Sequence, residues 1–196
     1  MLKRYENYLA FLMPKIEKFF DEQKPYIFCK KGCAKCCKNA EFPFSALEIS
    51  YLFEGIDKLD KETQYKITEK FKKTNADKDN FKGEKFLYDC PFLIDDVCTV
   101  YNYRGLVCRT FGLIAKNTND DALLPFCYTE NLNYSNVVDF KLNMISQEKC
   151  DELGYENEPQ GYNISYEFLT SEEIEKTFGI DFGEKKPLIE WFDDVR

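Results

Sequence analysis

The sequence predicts a mainly α protein with short strands and irregular loops, a small α+β single domain. Three observations carry this expectation. Apolar residues recur at helical spacing near the N-terminus, at Leu2, Tyr5, Leu9, Leu12, Ile16, Phe19 and Phe20. Helix-start patterns stand at Ser45, Asp60 and Thr170. Between them, residues 86–128 hold short apolar runs broken by turn residues, which suits short strands and turns rather than long helices.

Taken in order, residues 2–22 read as a helix that Pro14 should kink or divide, with Pro25 marking the exit. Ser45 and Glu48 form a capping box, so a helix is expected from about 46 to 54. The stretch KETQYKITEKFKK continues as a helix from near Asp60 to about residue 73, and residues 75–85 read as a polar loop. Thr170 with Glu173 predicts a short helix to about Phe178, stopped by Gly179. Pro187 opens a last short turn around Trp191. No repeat or low-complexity tract is present, and the tail from about residue 130 is too short to hold its own core.

The 196 residues and 44% hydrophobic content suffice for a sizeable core. A formal net charge of −8 disfavours phosphate backbones, so no nucleic-acid partner is expected. The apolar run Tyr8 to Met13 is too short for a secretory signal, and no segment approaches a membrane span. The expected location is cytoplasmic, with no membrane partner. In a reducing compartment, nine cysteines read as metal ligands or redox centres rather than a disulfide framework. The chain has no histidine, which excludes Cys/His zinc fingers, His-based catalytic metal sites, Ser-His-Asp triads and Cys-His dyads. Any protein ligands to a metal are thiolates, with carboxylate or water as the remaining options.

The stretch CKKGCAKCCK places Cys29, Cys33, Cys36 and Cys37 within nine residues. On a helix these positions share one face; in a loop, Cys33 and Cys36 have the C-x-x-C spacing that lets two thiolates bind one metal. The adjacent pair is awkward for one tetrahedral ion, so Cys36 and Cys37 could serve two metals or two irons of one cluster, or one could be spare. Cys90, Cys98, Cys108 and Cys127 are widely spaced and converge only through the fold. Lys30, Lys31, Lys35 and Lys38 are either solvated surface residues or cations that offset thiolate charge. Arg104 and Arg109 balance thiolate charge or pair with Asp89, Asp95 or Asp96. Tyr101 and Phe111 read as core, and Pro91 as shaping the turn beside Cys90.

These residues resemble the YkgJ-type CxxCxxCC cysteine-cluster family, described as zinc- or iron-chelating. The likeness spans about residues 26 to 128 and rests on Cys29, Cys33, Cys36 and Cys37, then Cys90-Pro91 with Leu93, Cys98 with Val100 and Tyr101, Arg104, Cys108-Arg109 with Phe111, and Cys127. Gly105 stands where the family usually has proline, which implies a less constrained turn. Cys150 lies outside the pattern and is expected to be an ordinary thiol. A radical-SAM reading of residues 29–36 fails on Lys35, which replaces the usual aromatic residue, and on the missing β/α alternation.

The resemblance implies zinc or iron, or an iron–sulfur cluster, held by Cys29, Cys33, Cys36, Cys37, Cys90, Cys98, Cys108 and Cys127 at the centre of the domain. Residues 1–128 would be the metal-binding domain and 129–196 an acidic extension packed on it. The metal ion is the expected partner. The alternative function is a metal- or Fe–S-dependent enzyme in redox chemistry or protein modification, since the family also resembles part of the flagellin lysine-N-methylases. That reading adds a protein partner or substrate. A thiol-redox or metal-delivery module is the third reading.

Overall fold

The computed structural model describes residues 1–30, 32–39 and 41–193. Helix α1 (Leu2–Glu22) buries Tyr5, Tyr8, Leu9, Leu12 and Ile16, the face its periodicity predicts. Pro14 neither ends nor divides it. The carbonyl that proline leaves without a donor belongs to Ala10, on the exposed side, where water can satisfy it.

Strand β1 (Pro43–Ser45) leads into α2 (Ala46–Ile56) through the predicted capping box. Helix α3 (Lys61–Asn80) begins at the Asp60 cap but runs beyond residue 73, into the stretch read as a loop. Its last turns are held by the C-terminal segment: Asn75 Nδ2 donates to the Phe192 carbonyl at 2.8 Å, and Phe71 stacks on Phe192. A tertiary partner overrides the polar composition of residues 75–80.

The middle is built from short pieces, as predicted. Strands β2 (Leu93–Ile94) and β3 (Val97–Cys98) form a hairpin, followed by a 3-10 turn (Tyr101–Tyr103) and helix α4 (Leu106–Thr110). Strands β4 (Ala115–Lys116) and β5 (Ala122–Leu123) pair next, then a 3-10 turn covers Phe126–Glu130. Strands β6 (Val138–Asp139) and β7 (Met144–Ile145) pair before α5 (Gln147–Glu152). Helix α6 (Tyr166–Leu169) is capped by Ser165, and α7 (Glu172–Phe178) starts at Ser171, not Thr170. Thr170 instead closes α6, its hydroxyl donating to the Tyr166 carbonyl. Gly179, in the left-handed region, ends α7 as expected. Strand β8 (Lys185–Pro187) pairs antiparallel with β1, Phe44 opposite Lys186, and a final 3-10 turn spans Leu188–Phe192.

Three cores result. The first joins α1 to Leu47, Leu106, Leu113, Ile164, Leu169, Ile180 and Phe182. The second joins Phe44, Ile49 and Leu52 to Ile67 and Phe71, to Tyr88, Phe92 and Val100, and to Leu188, Ile189 and Phe192. The third gathers Tyr26, Ile114, Tyr134, Val137, Val138 and Cys150, so Cys150 is a buried thiol. The first draws on both ends of the chain, and the second brings Phe44 together with Phe192. Among the described residues, no helix is long and apolar enough to cross a membrane.

Glu48 links the first two cores. It is 1% exposed and accepts from the Ser45 amide (2.9 Å), the Ser45 hydroxyl (2.8 Å), the Tyr166 hydroxyl (2.7 Å) and the Leu106 amide (2.8 Å). Burial raises its carboxyl above the ordinary range, and the four donors oppose that rise without cancelling it. Replacing Glu48 by Ala should destabilise the fold by about 3 kcal/mol in urea unfolding, because two buried amides lose their acceptor. A raised carboxyl contributes stability below the unfolded value that is lost as pH rises through the folded one. The advantage of wild type over Glu48→Gln should therefore be largest at low pH and narrow as pH rises, read from urea midpoints across a pH series.

Candidate metal centre

The N-terminal cysteine cluster is a loop of turns, not a helix. The Cys33 amide donates to the Lys30 carbonyl at 2.9 Å, and Gly32 takes a positive φ of 91°, which glycine adopts without strain. The Cys37 amide donates to Ala34 at 3.0 Å, opening a 3-10 turn over Cys36–Asn39. Two long-range bonds anchor this loop. The Cys90 amide donates to the Cys37 carbonyl at 2.7 Å. At the other end, Asn133 Oδ1 accepts from the amides of Phe28 (3.0 Å) and Cys29 (2.8 Å), while its Nδ2 donates to the Gly112 carbonyl at 2.9 Å.

The downstream cysteines sit on equally short frames. The Leu93 amide donates to the Cys90 carbonyl, and Cys98 faces Leu93 across the β2–β3 hairpin. Asp95 and Asp96, with φ of 50° and 59°, supply the hairpin's two-residue turn. Lys70 on α3 donates to the carbonyls of both Cys90 and Leu93. Cys108 lies on α4, whose first amide is the one Glu48 accepts. Cys127 is the second residue of the Phe126–Glu130 turn, and its carbonyl accepts from the Leu132 amide at 3.1 Å.

These frames bring the thiols into two neighbourhoods. Cys37, Cys90, Cys98 and Cys108 are close enough to act on one another electrostatically: Cys37 and Cys98 raise Cys90, and all three raise Cys108. Burial is the largest influence on Cys90, pushed up to about 12, and on Cys98 and Cys108, both raised. Cys29 and Cys33 form the second neighbourhood with Cys127. Burial first, then the Cys33 contact, pushes Cys29 up to about 11; burial, then Cys29, does the same to Cys127. Cys36 Sγ lies 4.0 Å from Cys37 Sγ, and their contact is the main cause of the raised Cys37 thiol.

All nine cysteines are free. Among the described residues, no three Cys, Asp or Glu side chains are gathered as a ready-made ion site. The donors suit a soft metal by their chemistry, and thiols raised in this way would give up protons on binding it.

The cations divide differently from expectation. Lys35 pairs with Glu130 at 2.8 Å and Lys38 with Asp96 at 2.6 Å, so both tie the cluster loop to downstream segments. Lys30 is exposed; Lys31 lies outside the described residues. Neither arginine pairs with Asp89, Asp95 or Asp96 in the described structure. Arg104 stacks over the Tyr101 ring at 3.7 Å, donates to the Tyr101 carbonyl, and holds Cys37 and Cys98 lower than burial alone would. Its Nε is buried without a hydrogen-bond partner. Arg109 is buried and donates to the carbonyls of Arg104 and Asn102, holding the turn before Cys108.

Tyr101 is 60% exposed, not core, because it serves as the platform for Arg104. Phe111 is half-buried between Phe42 and Phe126. Pro91 is buried beside Cys90. The turn at Gly105 is more constrained than the lost proline implies: a Cβ there would sit 2.5 Å from the Phe44 ring and 3.0 Å from Glu48 Oε1. Asn133, Lys70 and Glu48 were not singled out as site residues. Glu48 announced only a helix cap, and Asn133 and Lys70 carry no local motif.

Two neighbourhoods of free thiols on short, cross-linked loops define a cysteine-cluster domain. The profile of the CxxCxxCC family, a putative zinc- or iron-chelating domain, matches residues 28–128, and the chain belongs to that family. No curated protein and no solved structure matches the chain significantly.

Asn133→Leu should leave the amides of Phe28 and Cys29 without their acceptor and destabilise the fold by about 2 kcal/mol. Hydrogen exchange should speed up at those two amides while the Cys90 amide keeps its protection.

Proposed function

We propose that the chain is a metal-chelating protein whose eight cysteines hold zinc or iron in two four-thiolate sets. Cys37, Cys90, Cys98 and Cys108 make one set. By count Cys36 is the fourth member beside Cys29, Cys33 and Cys127, and its 4.0 Å approach to Cys37 Sγ puts it next to the first set as well. The observation that carries this reading is the 2.7 Å bond between the Cys90 amide and the Cys37 carbonyl, which docks the N-terminal cluster onto the segment bearing the second set. It supports chelation by thiols drawn from both the N-terminal cluster and the downstream segment.

Four thiolates and no imidazole suit tetrahedral zinc or iron, which supplies a cross-link between distant segments when bound. The chain's own residues prepare that cross-link. Arg104 offsets thiolate charge at Cys37 and Cys98, and Lys70 fixes the Cys90 backbone. The β1–β8 pairing supports residues 129–196 as an extension of the same domain.

Protein purified without oxygen and without a histidine tag should carry about two zinc or iron ions per chain and no acid-labile sulfide. Cys33→Ser and Cys108→Ser should each lower metal content, with Cys108→Ser also lowering the thermal midpoint. Unchanged metal in both variants would sink the reading. Stoichiometric sulfide with a visible chromophore would replace it with an iron–sulfur protein.

A further inference from the structure

An open cleft of about 730 Å³ lies between the end of α1, the segment just after it and the loop that follows α5. Three tyrosines line it, Tyr26, Tyr155 and Tyr162, together with three carboxylates, Glu22, Glu156 and Glu158. Among the described residues, no lysine or arginine does. Its walls are fixed. The Tyr26 hydroxyl donates to the Asn157 carbonyl, and the Tyr155 hydroxyl donates to the Pro25 carbonyl at 3.3 Å. The loop bearing Glu156 and Glu158 is thereby tied to the segment after α1. Tyr162 stacks on Phe19 at 4.0 Å, and its hydroxyl donates to Glu22 Oε2 at 2.9 Å. Gln23 lies against that hydroxyl. It is 3% exposed, its Nε2 donates to the Tyr162 oxygen at 3.0 Å, and its Oε1 is buried without a donor. A buried amide oxygen in that state costs stability that the N–H of a ligand would recover.

We infer that this cleft binds an aliphatic polyamine, its ammonium groups meeting Glu22, Glu156 and Glu158 and its methylenes lying on the tyrosine rings. The site is apart from the thiols and stands whether or not they hold a metal. The placement of charge selects this class of ligand. Among the described residues no three carboxylates converge as an ion site, so the three in the cleft are spread along it. A hard metal ion needs its oxygens gathered within about 2.0–2.6 Å of one centre. A polyamine carries its charges at intervals along an apolar chain. Ammonium groups are donors only, and the acceptors on offer are the carboxylates and Gln23 Oε1. Tyrosine rings suit both parts of such a ligand, the methylenes by apolar contact and the ammonium groups by cation–π attraction. Glu22 Oε1 holds an exposed pair with Lys18 at 3.5 Å, of the weak kind that an ammonium in the cleft would replace. The acidic field already reaches the walls. Burial, then the Glu22 contact, pushes Tyr162 up to about 12, and burial, then Glu158, raises the Cys150 thiol that packs with Tyr26.

The test is isothermal titration calorimetry of the full, reduced chain with spermidine at low salt. Spermidine should bind at about one per chain, more tightly than putrescine, which carries fewer charges, and an equal concentration of magnesium should not displace it. Glu22→Gln and Glu158→Gln, both at exposed positions, should each weaken binding roughly threefold to fivefold without changing the thermal midpoint. Glu172→Gln removes the same charge from the exposed surface of α7 and should leave the affinity unchanged. Hydrogen exchange in the complex should slow over residues 154–162. That readout needs no variant and separates a seated ligand from a diffuse counterion. Absence of spermidine binding, equal weakening by Glu172→Gln, or displacement by magnesium would each overturn the inference. So would a lysine-bearing peptide that binds where spermidine does not, since the cleft would then read a protein side chain. None of these outcomes bears on the cysteines, whose metal content is measured separately.

Discussion

The buried carboxylate of Glu48 is the constraint on which the arrangement depends. It begins as the N3 member of a capping box, a purely local device. Its second oxygen then captures the first amide of α4, and its first oxygen takes the Tyr166 hydroxyl. One side chain thereby sets the position of α2, of the helix that carries Cys108 and Arg109, and of α6 in the C-terminal third. Gly105 has no side chain because the Phe44 ring and this carboxylate occupy the space. The turn before Cys108 is shaped by what presses on it from outside, where a proline would have shaped it from within.

The thiol neighbourhoods are assembled by backbone bonds more than by ion pairs. Lys35–Glu130 and Lys38–Asp96 are half-exposed, and such pairs contribute little against solvent and salt. The other links are the Cys37 carbonyl to the Cys90 amide, part-buried bonds from the Phe28 and Cys29 amides to Asn133, and a buried bond from Asn133 to Gly112. They place segments distant in sequence in register and bring the thiols near one another.

Much of this was legible in the chain itself. The spacing of Tyr5, Leu9, Leu12 and Ile16, the Ser45–Glu48 box and the Gly179 stop are local signals, and local signals survive folding. The family pattern was also readable, because Cys90-Pro91, Cys98 with Tyr101 and Cys108-Arg109 recur at characteristic places. The illegible parts are those decided by distant partners. Helix α3 continues past residue 73 because Phe192 accepts from Asn75. Tyr101 is exposed because it carries Arg104. The division of the thiols between two neighbourhoods depends on which loop reaches which, and spacing along the chain does not encode that.

The pairing of β1 with β8 has a consequence for how the protein comes into being. Phe44 waits for Lys186, and the second core waits for Leu188, Ile189 and Phe192. At ribosomal speeds of roughly 5–20 residues per second, that wait lasts on the order of ten seconds. Through its later part Cys90, Cys98 and Cys108 are already synthesised and the wall they pack against is not. Nascent thiols are open to oxidants and to wrong metals during that interval. The segment Leu188–Phe192 therefore completes the wall behind three thiols made well before it.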